Sequence, residues 1–258
     1  MLNRLPLAFV VLILLVLLGV GWVMAYPISS LVVDPARYRI EVHWKDQNGN
    51  LLGDLGRLKT FVENSSGTQG RRKMVLGMNA GMYLATPLGH PMGLLVVNGR
   101  HGCCKASSHG KLILKQGASR NSNFYVQPNG VFYITQSGKA GVCKSAEFAR
   151  LKDIQFATQS GPLLVVNGQI NRANAFSTKS SSKTIRNGVG IRKDGRVVMA
   201  ISNRPVNFYE FALYMQQQGC INALYLDGGI SAMHCPRLGR YGKGHNLGPL
   251  LAVVDKTQ

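Results

Sequence analysis

Short runs of alternating apolar and polar residues recur along the chain, and each predicts a strand with one face toward a core. Residues 38–44 (Tyr-Arg-Ile-Glu-Val-His-Trp) alternate most clearly, and 74–78, 92–97, 111–115, 131–135 and 154–158 follow the same pattern. Asn-Gly pairs at 98–99, 129–130, 167–168 and 187–188 punctuate these runs and predict tight turns, where positive φ is needed. Residues 188–202 read as a hairpin around the turn Lys193-Asp194-Gly195. A helical period appears at residues 208–218, where Phe208, Phe211, Ala212 and Met215 share a face and Gly219 stops the helix. The apolar strand 223–226 follows it, and shorter helices are predicted at 59–63 and 146–151. The sum is an α+β domain: a strand-rich mixed sheet core with a few helices. Alternating β-helix-β units are missing, which argues against a Rossmann-type sheet.

The first 26 residues follow another rule. Residues 5–25 hold no charge, and 21 residues of helix reach about 31 Å, enough for a bilayer core of about 30 Å. Arg4 precedes them, so the expected topology is a single-pass inner-membrane anchor with residues 27–258 as one periplasmic domain. A cleaved signal is the alternative, because Val23-Met24-Ala25 has small residues where a signal peptidase needs them. Outside the cytoplasm, Cys103, Cys104, Cys143, Cys220 and Cys235 could pair, but the count is odd. His101, Cys103, Cys104 and His109 lack the usual zinc spacings, so no metal or cofactor is expected.

Composition narrows the chemistry. The chain has 30 Lys plus Arg against 11 Asp plus Glu, a formal charge of +19. Between Arg100 and Arg196, 16 bases face 3 acids. No basic-aromatic nucleic-acid module is present, and the balance by itself fits nucleic acid, a membrane surface or anionic substrates. Any carboxylate chemistry must come from few residues. Most lie in turns, in the tail or in the polar first quarter, leaving Glu147, Asp153, Glu210 and Asp227. Asp227 stands out because it ends an apolar strand and precedes Gly228-Gly229, backbone that can approach a ligand and turn N–H groups toward an anion, with the Ser231 hydroxyl beyond. Asn79, Gln159 with Ser160, and Arg186 also stand at strand ends as polar candidates. Arg186 could fork onto a phosphate. No G-x-S-x-G elbow, phosphate-binding P-loop or H-E-x-x-H is present. Gly242-Lys243-Gly244-His245 precedes a strand rather than a helix and reads as a loop.

Five stretches occur in an order that resembles the phosphodiester glycosidase family, of which N-acetylglucosamine-1-phosphodiester α-N-acetylglucosaminidase is a member. They are NAGMY (79–83), GLLVVNG (93–99), TQSGPLLVVNGQI (158–170), TIRNGVGIRKDGRVV (184–198) and NALYLDGGISAM (222–233). The variant is similar to a bacterial envelope branch. The resemblance implies hydrolysis of a sugar-1-phosphate diester at the glycosidic bond in an envelope glycan, with a glycosyl-phosphate carbohydrate and the membrane as the partners and no nucleic acid. It places Asn79, Arg186, Asp227 and Ser231 at family site positions, with Ile230 where the family often has a third glycine. On this reading Asp227 is the catalytic carboxylate. Glu210 is the candidate second one, since its helix leads into the Asp227 strand. Asn79, Gln159, Ser160, Arg186, Gly228, Gly229 and Ser231 bind substrate. A non-catalytic module that binds anionic envelope polymer is the alternative.

Overall fold

A computed structural model of the chain describes residues 27–65, 72–101, 111–114 and 122–256. Three large sheets dominate. The first runs β1 (Ile28–Val33), β14 (Val197–Ser202), β13 (Asn187–Arg192), β15 (Cys220–Tyr225), β11 (Leu163–Val166) and β12 (Gln169–Ile170). The second runs β7 (Arg100–His101), β6 (Leu95–Val97), β10 (Ile154–Ser160), β8 (Gly130–Thr135) and β9 (Ala140–Lys144). The third runs β17 (Arg240–Tyr241), β16 (Met233–Cys235), β3 (Met74–Asn79), β18 (Leu250–Asp255) and β2 (Tyr38–His43). A small ribbon joins β4 (Tyr83–Leu84) to β5 (His90–Pro91). Among the described residues every pairing is antiparallel. Antiparallel neighbours need no helical crossover, which fits the small number of helices.

Among the described residues, three α-helices share one job. Helix α1 (Leu55–Asn64) packs Leu55, Leu58 and Val62 on Met74, Leu250, Ala252 and Val254 of the third sheet. Helix α2 (Ser145–Phe148) sets Phe148 on the second sheet, with Val96, Val131 and Ala157. Helix α3 (Phe208–Gln217) lays Phe208, Phe211, Ala212 and Met215 on the first sheet. The inner faces of all three sheets meet in one central core. Both faces of the middle strands are therefore dry. In β18, Leu251 and Val253 face the central core while Leu250, Ala252 and Val254 face α1. In β14, Val197, Met199 and Ile201 face inward while Val198 and Ala200 face α3. Such strands read as continuous apolar runs rather than alternating ones.

Helix α1 begins four residues before the expected 59–63, because Asp54 caps it by accepting from Arg57 N at 2.8 Å. Residues 111–114, expected as part of a strand, join no ladder. The Gln159 side chain takes the place of a partner strand: its Oε1 accepts from Ile113 N at 3.0 Å and its Nε2 donates to Ile113 O at 2.6 Å. Only two of the four Asn-Gly pairs are turns with both residues at positive φ, Asn98-Gly99 and Asn167-Gly168. Asn187-Gly188 instead opens β13, and a side chain at Gly188 would press on Leu224 O and Phe211, each at 2.9 Å. The expected membrane segment, Cys103, Cys104 and His109 lie outside the described residues. No helix among the described residues is long and apolar enough to cross a membrane.

Candidate active site

The ends of β3, β13 and β15 converge, and a small polar network ties them together. Asn79, the last residue of β3, is buried. Its Nδ2 donates to Asp227 O at 2.7 Å, and its Oδ1 accepts from Asn187 Nδ2 at 3.0 Å and from Ala232 N at 2.9 Å. Ser231 Oγ donates to Ile185 O at 3.1 Å, with Asn187 Oδ1 and Asp227 O both at 3.3 Å. Loop 227–232 is thus pinned at both ends by side chains already satisfied within the protein. Asn79 and Ser231 position this loop, and Asp227 projects from it.

Strand alternation continues past the end of β15, so Tyr225 and Asp227 share a face. Asp227 is half-buried. Gly229 N donates to its Oδ1 at 3.0 Å, and its Oδ2 has no protein donor among the described residues. Burial pushes the carboxyl above its ordinary range, and the Gly229 bond only partly offsets this. Tyr83 stands close enough to feel that charge. Burial and Asp227 push its phenol up to about 12, and its buried hydroxyl has no hydrogen-bond partner. Burial also raises the Tyr225 phenol, with Asp227 adding to the rise and Arg186 opposing it. Both phenols stay protonated at neutral pH, and both are closed in: the Tyr83 hydroxyl is buried and Tyr225 is 1% exposed. Gly228 lies directly under the Tyr225 hydroxyl, where any Cβ would overlap it. Gly81, in the turn that carries Tyr83, passes equally close to Gln159 O and the Thr158 hydroxyl.

Arg186 is buried behind this face. Its Nε donates to Val206 O at 2.8 Å and its Nη2 to Ser182 O at 3.0 Å. The guanidinium lies 3.7 Å from the Phe208 ring centroid and 5.2 Å from that of Tyr225. Its Nη1 has no partner of hydrogen-bonding geometry. Burial lowers its pKa from the usual high value, while Tyr225 and Glu210 support the charge. Arg186 therefore places a positive charge beneath Tyr225 while being closed off from solvent.

The remaining candidates sit elsewhere. Gln159 faces the outer side of the second sheet, where Leu94 N, both backbone groups of Ile113 and the Ser145 hydroxyl consume its amide. Ser160, at the end of β10, is fully buried with an unpartnered hydroxyl. Glu210 caps α3 reciprocally with Asn207, and its other oxygen accepts from Lys183 Nζ at 3.2 Å. The Asn207 amide and Lys183 outweigh the small desolvation and hold its carboxyl below the usual range. No group of three metal-ligating side chains occurs among the described residues. Tyr83, Tyr225 and Asn187 had no assigned role in the sequence reading. The signal for Tyr225 was its spacing of two from Asp227 on one strand. Asn187 was read as a turn residue.

The family model for phosphodiester glycosidase matches residues 72–244, which spans β3 through β17 and every residue of this cluster. An uncharacterized protein, YigE, of Escherichia coli (strain K12) is 37% identical over 208 residues, 80% of this chain and 74% of that protein. The zebrafish N-acetylglucosamine-1-phosphodiester α-N-acetylglucosaminidase catalytic domain, auto-inhibited by its pro-peptide, superposes with a TM-score of 0.51 at 16% identity, covering 90% of this chain and 85% of that one. A hypothetical protein from Synechocystis gives 0.52 at 15% identity, over 89% of this chain and 59% of that one. The extent of the family match and the 37% identity together show that this chain belongs to the phosphodiester glycosidase family.

Proposed function

We propose that the protein hydrolyses a glycosyl phosphodiester in an envelope glycan, breaking the bond between the anomeric carbon and the phosphate oxygen. The observation that carries this is Asp227: a carboxyl raised by burial, with one oxygen unengaged, between two protonated phenols on a glycine-lined loop. In this reading the bond electrons leave with the phosphate, which is a stable anion and needs little help from an acid. Positive charge builds on the sugar, and the Asp227 carboxylate stabilises it. The same carboxylate takes a proton from the water that bonds to the anomeric carbon, a role that its raised proton affinity favours. The Arg186 charge beneath Tyr225 favours an anion at that face. Membership of the family supports the reaction class. The apolar segment 5–25 supports placing the domain at the outer side of the inner membrane.

The test is to incubate the purified protein with a panel of glycosyl phosphodiesters and detect released sugar. Release by the unaltered protein, reduced at least ~10³-fold in Asp227→Asn, is expected. Full activity in that variant removes Asp227 from catalysis. Inactivity on every diester with binding retained assigns the fold to a non-catalytic binding module instead.

A further inference from the structure

The loop that carries Asp227 opens onto more surface than one sugar phosphate needs. Ile230 and Ser231 of that loop line a groove of about 430 Å³, together with Arg240, Tyr241 and His245. A second groove, of about 1040 Å³, runs from there to α1 and shares Gly244 and His245 with the first. Two large apolar side chains stand out on the wall of the first groove: Tyr241 is 67% exposed and Ile230 is 44% exposed. Exposed apolar groups gathered in one concavity mark a contact surface. Tyr241 is also held in place. It pairs with His234 across β16 and β17, with the rings edge-on at 5.9 Å, and Gly242 N donates to Met233 O at 3.0 Å.

The charge pattern tells the same story. No carboxylate lines the first groove. The second contains the carboxylates Asp46 and Asp54 beside the bases Arg57 and Lys243, and the backbone N–H groups from which the two carboxylates accept leave their charge in place. Three bases, Arg57, Lys243 and Arg240, thus face two acids along the trough, and the positive excess lies in the first groove, beside the loop that carries Asp227.

We propose that the two grooves form one trough for a polymeric anionic glycan, so that the site takes sugar-phosphate units within a chain and not only a terminal one. Sugar rings fit this surface because one face is C–H and stacks on an aromatic ring, while the hydroxyls and phosphates meet Arg240, Lys243 and His245. An alkyl chain would use Tyr241 and Ile230 but leave the basic groups without partners. Inorganic phosphate would use the bases and ignore Tyr241. The inference rests on the reading of Asp227 as the reacting centre, since it assigns the trough to the same substrate.

Binding separates the two ideas, because it needs no turnover. The full-length Asp227→Asn protein is titrated with phosphomannan fragments of one, two and four repeats, hexoses joined through sugar-1-phosphate diesters. Affinity is expected to tighten at least ~10-fold from one repeat to four. In Asp227→Asn proteins that also carry Tyr241→Ala or Lys243→Gln, that gain should fall to about twofold. An affinity that does not rise with length overturns the trough, as does an equal loss on one and four repeats in both variants. Sugar release from the same fragments by the unaltered protein tests the catalytic reading separately. Its failure leaves the length dependence to be judged by itself.

Discussion

Burial of the Asp227 carboxyl works against the fold once the group is ionised. Its proton affinity is raised in the folded state, so the folded protein is favoured while the group is protonated. That advantage is lost as pH rises through the raised value. Asp227→Asn is therefore expected to melt at the same or a higher temperature than the unaltered protein at pH 7 to 8, while losing sugar release. A clear drop in melting temperature would make Asp227 a structural residue. Asn79 has the opposite profile. It is buried, and its side chain makes three hydrogen bonds that fix loop 227–232. Asn79→Ala strands those partners, and a loss of roughly 2–4 kcal/mol in denaturant unfolding is expected. At this scale the sequence was informative where a local pattern carried the role. A carboxylate at a strand end before two glycines is such a pattern. Gln159 shows the limit: its partners at Ile113 and Ser145 are 46 and 14 residues away, and nothing near it in the chain marks it as an internal amide.

Elements explain the second carboxylate. Glu210 is the third residue of α3, and its carboxylate closes a capping box with Asn207. Glu210→Ala is expected to cost about 1 kcal/mol through the lost cap, and Glu210→Gln to retain sugar release. Loss of release in Glu210→Gln with unchanged melting would restore it as a catalytic partner. Strand β2 carries another buried charge. Burial opposes the ionised Glu41 side chain, but His43 Nε2 at 2.9 Å and Arg72 Nη2 at 2.6 Å outweigh it, and the carboxyl is held below its usual range. A lowered folded value contributes stability above the ordinary carboxylate range, and this is lost as pH falls through the folded value. Glu41→Gln should destabilise clearly at pH 7 and by progressively less below about pH 4, measured by urea unfolding across that range. Strands and the main helix were legible because their apolar periods were strong. The middle strands gave weaker signals, because cover on both faces erases alternation.

Across the whole molecule, every charged residue except Arg4 lies after Tyr26. If that field guides an anionic substrate, kcat/KM should fall several-fold between about 50 and 500 mM salt, with a neutral glycoside little affected. Equal sensitivity for both would remove the field from the account. The fold class was legible from strand density and few helices. The closing of three sheets on one core was not, because those contacts join distant segments.

Strand β18 has a consequence of another kind. It sits between β3 and β2, pairing Leu250 with Asn79 on one side and with His43 on the other. The third sheet therefore has no centre until residues 250–255 arrive, and β1 likewise waits for β14. Pairings this far apart in the chain carry a large loop-closure entropy and slow the search for the native state. Until residues 250–255 are in place, β2 lacks its partner strand. Asn79, whose side chain fixes the Asp227 loop, gains its ladder to Leu250 only when β18 docks.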